Sequence, residues 1–364
     1  MKIVFILNSS GNPNHLKRID EFVMHGYDVY AYCFLRDKEF PNSTQLCTIK
    51  PVSKISNSSI YIKRCKSLYQ GIKKVLAETK SEKCLYYLVG LEIAMFFRLV
   101  SRKPYIFEEA DMVHTNMSNV FFKYLFERVD KYVIKHSCLS AFRSEGFLQY
   151  HFGYKIPDNV IVIPNKLNPN IVNLPVIPKL DTNIAKLRIG FVGCIRYNSI
   201  FHFCRVFCES FPQHEFHFYG KCTNDNAENM FRELLQYNNC FFHGEFVSPD
   251  DLYRIYSGLD MVLSTYDISC ENVRYAEPNK IYEAIYFDTP IIVSSETYLA
   301  QKVRRLGIGF DIDAMNDNEI KDFVSSLTID IIQGVKAKIK QIDKKDVLSV
   351  NDELFKRIAK IEHI

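Results

Sequence analysis

The feature that most constrains this chain is a repeating order of short apolar runs and amphipathic stretches, broken once by a proline-crowded interval. Residues 2–7 are an apolar run, followed by the turn residues Asn8, Ser9, Ser10 and Gly11. Asn12 suits a helix cap and Pro13 the first helical position. Leu16, Ile19, Phe22 and Val23 share one helical face, and Gly26 supplies a left-handed stop before the next run at 27–34. This β-α-β unit commits the chain to a parallel sheet, because parallel neighbours need a crossover. The spacing goes on to predict a helix over 61–80, a strand at 84–89 and a helix at 91–101. A strand at 105–107, a helix at 119–135 and a strand at 160–163 follow.

Pro164, Pro169, Pro175 and Pro178 then crowd a stretch with little periodicity. The alternation restarts with a strand at 187–192, a helix near 201–210 and a strand at 215–219. A helix near 227–237 and a strand at 240–242 come next. Ser248-Pro249-Asp250-Asp251 reads as a capping box for a helix with Leu252, Ile255, Tyr256 and Leu259 on one face. A strand at 260–264, a helix at 278–287, a strand at 291–294 and a last helix at 351–364 complete the pattern. The expected fold is α/β, two Rossmann-like doubly wound domains in tandem. Residues 1–170 form the first, completed by the helix at 351–364; 171–186 are the expected linker, and 187–350 the second. Such sheets bind ligands at the C-terminal ends of their strands, so the cleft between the domains is the expected site.

A chain of 364 residues is long enough for two cores, and 47% apolar with 24% charged residues excludes disorder. The net charge of +4 is too small to imply nucleic acid, and no nucleic-acid motif accompanies it. Its distribution is uneven. Residues 1–178 carry 24 basic and 15 acidic side chains, and residues 179–364 carry 22 and 27. An anionic surface or ligand is therefore expected on the first half. Eleven cysteines without a C-x-x-C pair fit reduced cytoplasmic thiols better than disulfides or zinc, and Cys204 and Cys208 lie on a helical segment. No metal ligand set and no cofactor is read. The first apolar run is too short for a signal peptide, and Glu92 and Arg98 interrupt the apolar run at 85–100, so no membrane span is expected. The sequons at Asn42 and Asn57 are then chance matches.

Two local motifs bear on chemistry. In Ala276-Glu277-Pro278-Asn279-Lys280-Ile281-Tyr282-Glu283-Ala284, Pro278 starts a helix whose leading amides suit a phosphate or carboxylate. Ile281, Ala284 and Ile285 form its buried stripe. Lys280 and Glu283, three apart, share another face, where Lys280 would neutralise a phosphate and Glu283 accept from vicinal hydroxyls. The plainer alternative is a solvated Lys–Glu pair. In Ile189-Gly190-Phe191-Val192-Gly193-Cys194-Ile195-Arg196-Tyr197, a strand ends at a glycine where backbone approaches a diphosphate, and Arg196 follows as a planar clamp. The plainer alternative is a tight turn with a surface arginine. The G-x-G-x-x-G fingerprint is missing from the chain, which counts against an oxidoreductase.

Taken in order, VIVIPN (160–165), LRIGFVGCIR (187–196), FYGK (218–221), FHGEF (242–246), DDLYRIYSGLDMVLS (250–264), EPNKIYEA (277–284) and TPIIV (289–293) resemble the group 1 glycosyltransferases. These are retaining enzymes of the GT-B fold, and the likeness is greatest to bacterial members that build capsular and O-antigen polysaccharides. The resemblance covers about residues 160–312. It implies a nucleotide-diphospho-sugar donor on the second domain, with Gly193 and Arg196 at the diphosphate, backbone around Phe246 at the base and Glu283 at the ribose. Amides of Glu277, Pro278 and Asn279 would face sugar and phosphates, and catalysis would fall to Arg196, Lys280 and Glu283. The chain departs from the family at Tyr275, where a glutamate eight residues before Glu283 is usual, and at Phe201, where a lysine is usual. Glu277 would then supply the carboxylate, and Lys280 or Lys221 the charge. Tyr266, like Tyr197, Tyr275 and Tyr282, is placed to stack on sugar or base.

On the first domain the resemblance puts the acceptor near Ser10 and Gly11, with Glu108, Glu109, Asp111 and His114 as a polar patch that would orient an acceptor hydroxyl. The alternative there is acidic loop residues and a satisfied core histidine. Lys63, Arg64, Lys66, Lys73 and Lys74 share a helix with Ile60, Ile62, Leu68, Tyr69, Ile72, Val75 and Leu76. Such a basic amphipathic helix near 61–80 would rest on an anionic bilayer, or else be a core helix with a solvated face. The expected activity is metal-independent transfer of a hexose onto a saccharide or lipid-linked polysaccharide precursor, in the cytoplasm or peripheral on the inner face of the plasma membrane. A nucleotide-sugar epimerase of the same fold, or a silent nucleotide-sugar-binding subunit, are the alternatives.

Overall fold

The protein is described from a computed structural model, which covers residues 1–36, 43–44, 46–55 and 61–362; Asn42, Asn57 and Ile60 lie outside the described residues. The chain divides into two compact units, Met1–Pro164 with Asn351–Ile364, and Asn165–Val350.

The first unit is built from β1 (Lys2–Leu7), α1 (Pro13–Met24), β2 (Asp28–Arg36), β3 (Ile49–Ile55), α2 (Tyr61–Glu78), β4 (Cys84–Val89), α3 (Leu91–Val100) and β5 (Tyr105–Glu109). A 3₁₀ turn at Val113–Asn116, then α4 (Val120–His136), β6 (Leu139–Phe142), α5 (Glu145–Phe152) and β7 (Val160–Val162) follow. All seven strands are parallel, in the order β3-β2-β1-β4-β5-β6-β7. Asn12 caps α1 through its side chain, and Pro13 opens the helix. Phe22 of α1 meets Phe5, Tyr87 and Phe355 edge-on, with centroids 5.0–5.3 Å apart. Truncating a buried phenylalanine of this kind costs about 3–5 kcal/mol.

The second unit contains β8 (Arg188–Val192), α6 (Asn198–Ser210), β9 (Glu215–Tyr219), α7 (Asp225–Leu234), β10 (Cys240–Phe242), α8 (Leu252–Ser257), β11 (Met261–Ser264), α9 (Glu271–Tyr275) and α10 (Lys280–Tyr286). It continues through β12 (Ile291–Ser294), α11 (Tyr298–Leu306), β13 (Gly309–Ile312), α12 (Asp317–Ser326) and α13 (Ile329–Lys340). The chain then returns to the first unit with α14 (Asp352–Glu362). The second sheet is also parallel, ordered β10-β9-β8-β11-β12-β13. Alternate residues feed separate cores on its two faces. Phe191, Phe218 and Leu263 pack with α6, α7 and α12 on one, and Val192, Val262 and Val293 with α8, α10 and α11 on the other. Both units are thus Rossmann-like and doubly wound.

Residues 171–186, the expected linker, bond to the second unit: Leu180 bonds its amide to the Ser257 carbonyl, and the Lys179 ammonium reaches the carbonyls of Phe287 and Asp288. Two local expectations are corrected. Strand β5 runs on to Glu109, so Glu108 and Glu109 are strand residues, not loop acids. At α8 there is no capping box; instead the Asp251 carboxylate reaches back to the Val247 amide at 2.8 Å. The cysteines are free thiols, with Cys204, Cys208 and Cys240 grouped in the core. Among the described residues no helix is long and apolar enough to cross a membrane.

Candidate functional site

The second sheet reverses its strand order between β8 and β11, and open α/β sheets leave a crevice at such a point. Gly193 directly follows β8, and Tyr266 lies just past β11. Gly193 takes φ +137°, and a Cβ there would lie 3.1 Å from the Lys280 ammonium nitrogen. Gly220, after β9, takes φ +134°; a Cβ would stand 1.9 Å from the Gly193 carbonyl oxygen, so this contact admits only glycine. The Gly193 amide bonds the Tyr219 carbonyl, and the Ile195 amide bonds that of Lys221, locking the two loops together.

Lys280 is the centre of the cluster. Its nitrogen lies 4.4 Å from the Phe191 ring centroid and 3.4 Å from the Tyr266 hydroxyl. Tyr266 packs edge-on to Tyr197 at 4.9 Å, and the Arg196 guanidinium lies over Tyr197 at 4.8 Å and donates to its hydroxyl. Gly193, Arg196, Tyr266 and Lys280 therefore belong to one contiguous surface. Lys280 is only 8% exposed, Glu283 7%, so the solvated-pair alternative is excluded. All of Lys280–Ile285 is buried, including the Ile281, Ala284 and Ile285 stripe. The Tyr256 hydroxyl donates to Glu283 at 2.6 Å. Burial raises the Glu283 carboxyl above the ordinary glutamate range, opposed by Tyr256 and by the Lys280 charge.

Other expected residues are placed differently. Glu277 is not an open carboxylate: Lys302 of α11 donates to both its oxygens at 2.8 Å, and the side chain is buried. It anchors the segment bearing Pro278 and the exposed Asn279 ahead of α10. Helical hydrogen bonding begins with the Ile281 amide to the Pro278 carbonyl, so the Asn279 and Lys280 amides precede it. Lys221 pairs with Glu245 in the open, both side chains more than 60% exposed. Phe246 packs partly buried against the core on the α10 face of the sheet. The sequence reading missed Lys302, Tyr256 and Asp267, whose carboxylate accepts from the Asn198 and Ser199 amides and ties α6 to the loop after β11. No local spacing signals these partners, which lie 25–69 residues away from the groups they hold.

In the first unit the expected acceptor residues are not brought to one surface. Ser10 is buried and Gly11 exposed, next to β1; Asp111 is exposed beyond β5. Glu109 and His114, expected to orient an acceptor hydroxyl, are buried. Glu108 is buried too, held by Arg143 at 2.8 Å, by the Tyr87 hydroxyl at 2.5 Å and by Arg18 at 3.6 Å. Burial alone would raise its carboxyl; Arg143 and Arg18 overcome that and hold it near 2.

No family model matches the chain, and no curated protein matches it in sequence. Solved structures do match over the full length. Sucrose-phosphate synthase from Thermosynechococcus elongatus superposes with a TM-score of 0.73 at 12% identity, covering 99% of this chain and 100% of that one. HepE from Anabaena, in complex with UDP, gives 0.72 at 14% identity over 99% and 100%. WaaG, a glycosyltransferase involved in lipopolysaccharide biosynthesis, gives 0.64 at 12% over 95% and 97%. The likeness shows the GT-B fold, two Rossmann-like domains.

Proposed function

We propose that the chain is a retaining glycosyltransferase that moves a hexose from a nucleotide-diphospho-sugar to a saccharide or lipid-linked polysaccharide precursor. The single observation that carries this reading is the convergence of Gly193, Arg196, Tyr266 and Lys280 at the switch point of the second sheet, with Glu283 behind them. A cation shielded from water interacts more strongly with charge that develops on a departing diphosphate than one in solvent. Lys280 is such a cation, and Gly193 leaves the side of its ammonium clear of any Cβ. Arg196, exposed and held flat by Tyr197, is the second clamp. Glu283, fixed by Tyr256, is the acceptor for the ribose hydroxyls. With the diphosphate neutralised from both sides, the reading assigns no metal to the transfer and uses the leaving phosphate itself to take the acceptor proton. The complexes of HepE with UDP and with UDP-glucose support a donor of this class.

The same reading places the acceptor at a cytoplasmic membrane surface, with contact through the first unit. Helices α2, α3 and α4 are neighbours in one layer. The expected basic helix exposes Ile62, Lys63, Lys66, Lys73 and Lys74, while Arg64 is turned to Glu92. The larger apolar patch is on α4, where Val120, Phe121 and Phe122 are 80%, 68% and 51% exposed. Apolar side chains flanked by lysines are what an interfacial helix presents to anionic lipid.

The test is a screen of UDP-, GDP-, ADP- and dTDP-sugars by thermal shift, followed by NMR of the selected donor with and without saccharide acceptors. Transfer with retained anomeric configuration supports the proposal. Conversion of the donor without acceptor would make the protein an epimerase, and binding without turnover across the acceptor panel a silent subunit.

A further inference from the structure

At the C-terminal end of β5, four side chains from four elements meet inside the first unit. Glu109 closes β5, His114 lies in the 3₁₀ turn, Asp130 on α4 and His151 on α5. Their side chains are at most 1% exposed. The His151 Nε2 lies 3.0 Å from Glu109 Oε1 and 3.9 Å from Asp130 Oδ2, and His114 Nδ1 lies 3.3 Å from that same Asp130 oxygen. Only the His151–Glu109 contact is a hydrogen bond. Glu109 Oε2, both Asp130 oxygens, both His114 nitrogens and His151 Nδ1 are buried without a hydrogen-bond partner.

Six orphaned polar atoms in one place are hard to reconcile with a core, since each unsatisfied buried group costs about 1–3 kcal/mol. The neighbouring carboxylate of Glu108 shows how this unit treats a buried acid that is satisfied, with two arginines and a tyrosine around it. No arginine or lysine hydrogen-bonds to Glu109 or Asp130 among the described residues. A single proton shared by the two acids would add one contact and leave the rest unmet. A divalent cation would engage both carboxylates and an imidazole at once.

We propose that Glu109, Asp130 and His151 form a binding site for a first-row divalent metal ion of the zinc or manganese kind, with His114 steadying the Asp130 carboxylate. The geometry agrees. One oxygen each from Glu109 and Asp130 and a nitrogen of His151 lie within 4.8 Å of one another. Metal–ligand bonds of about 2.0–2.2 Å at tetrahedral angles set ligands roughly 3.3–3.6 Å apart, and the observed 3.0 and 3.9 Å fall on either side. Oxygen and imidazole donors without thiolate select zinc, iron or manganese over softer ions. Ligating carboxylates are themselves held by outer partners, and His114 Nδ1 lies 3.3 Å from Asp130 Oδ2. The ion would join β5, α4 and α5 and has a structural role; none of its ligands belongs to the Lys280 cluster in the second unit.

The test uses the full chain, stripped with EDTA, then given ZnSO4 or MnCl2 and gel-filtered. One zinc or manganese per chain is expected, with an unfolding midpoint raised by about 5 °C. X-ray absorption of the zinc form should show only nitrogen and oxygen neighbours. Glu109→Gln and His151→Gln should each lower metal affinity at least tenfold, while UDP binding is the same with and without metal. The proposal is overturned if neither ion is retained or if retention is unchanged in both variants. Sulfur neighbours at about 2.3 Å would also overturn it, because they would place the ion at Cys204, Cys208 and Cys240. Should both variants fail to fold, the stoichiometry and coordination shell of the unaltered protein decide the matter.

Discussion

Both sheets reverse strand order beside their first strand, β1/β4 in one unit and β8/β11 in the other, yet the charged groups gathered near the two places are arranged in opposite ways. In the first unit Arg18, Arg143, Glu21 and Glu108 are buried and paired with one another. In the second, Lys280 is also buried, but among the described residues it forms no ion pair: it lies against a phenylalanine ring, a tyrosine hydroxyl and the clear side of a glycine, and the Glu283 carboxyl feels its charge without pairing with it. The same topology therefore offers two crevices, and the pairing of charge distinguishes them. A cation without an ion pair retains attraction for an arriving anion; one locked to a carboxylate has used it.

The largest effect should come from breaking the paired side. Arg143→Ala leaves Glu108 short of a partner and is expected to destabilise the fold by about 3–5 kcal/mol, read by urea unfolding. Lys280→Ala should do the reverse: a midpoint close to that of the unaltered protein, with turnover down about 10²–10³-fold in a donor-consumption assay. If Lys280→Ala unfolds the protein and Arg143→Ala merely slows it, the contrast is inverted. Gly193→Ala sharpens the comparison, because its Cβ would meet the Lys280 nitrogen at 3.1 Å on a backbone at φ +137°. Donor affinity should fall roughly tenfold, on the order of 1.4 kcal/mol, as read by calorimetry.

Glu283→Gln probes the buried acid by pH. A carboxyl whose folded pKa is raised binds its proton more tightly in the native state, so its ionisation erodes stability as pH rises above the unfolded value. The glutamine variant lacks that loss. Its stability relative to the unaltered protein should therefore grow from about pH 4 upward and level off once Glu283 is ionised in the fold. A flat difference across that range contradicts the burial argument. Smallest of all, Lys221→Ala removes an exposed ion pair worth about 0–1 kcal/mol, and donor affinity should change less than threefold.

What could be read from the chain follows the same division. Lys280 and Glu283 were legible because three residues on one helix fix their shared face, and Gly193 with Arg196 because a strand must end somewhere before its helix. Strand β3 was missed: its sequence IKPVSKI buries only its two end residues and carries a proline, which suits an edge strand but gives no apolar run. Strand β6 is four residues with a serine among them. Tyr256, Lys302, Asp130 and His151 act on partners brought near only by the tertiary fold, so no window of sequence contains them with the groups they serve. The interval at 171–186 read as a linker because prolines remove periodicity, although Lys179 and Leu180 tie it to the second unit.

The central claim, that the Lys280 cluster receives a diphosphate, is tested most directly by calorimetric titration of nucleoside diphosphates and the matching nucleosides into the unaltered protein and Lys280→Ala. One diphosphate is expected to bind the unaltered protein far more tightly than its nucleoside. In Lys280→Ala that advantage should shrink by at least tenfold while the weak nucleoside affinity stays the same. An equal preference for the diphosphate in both proteins would contradict the account.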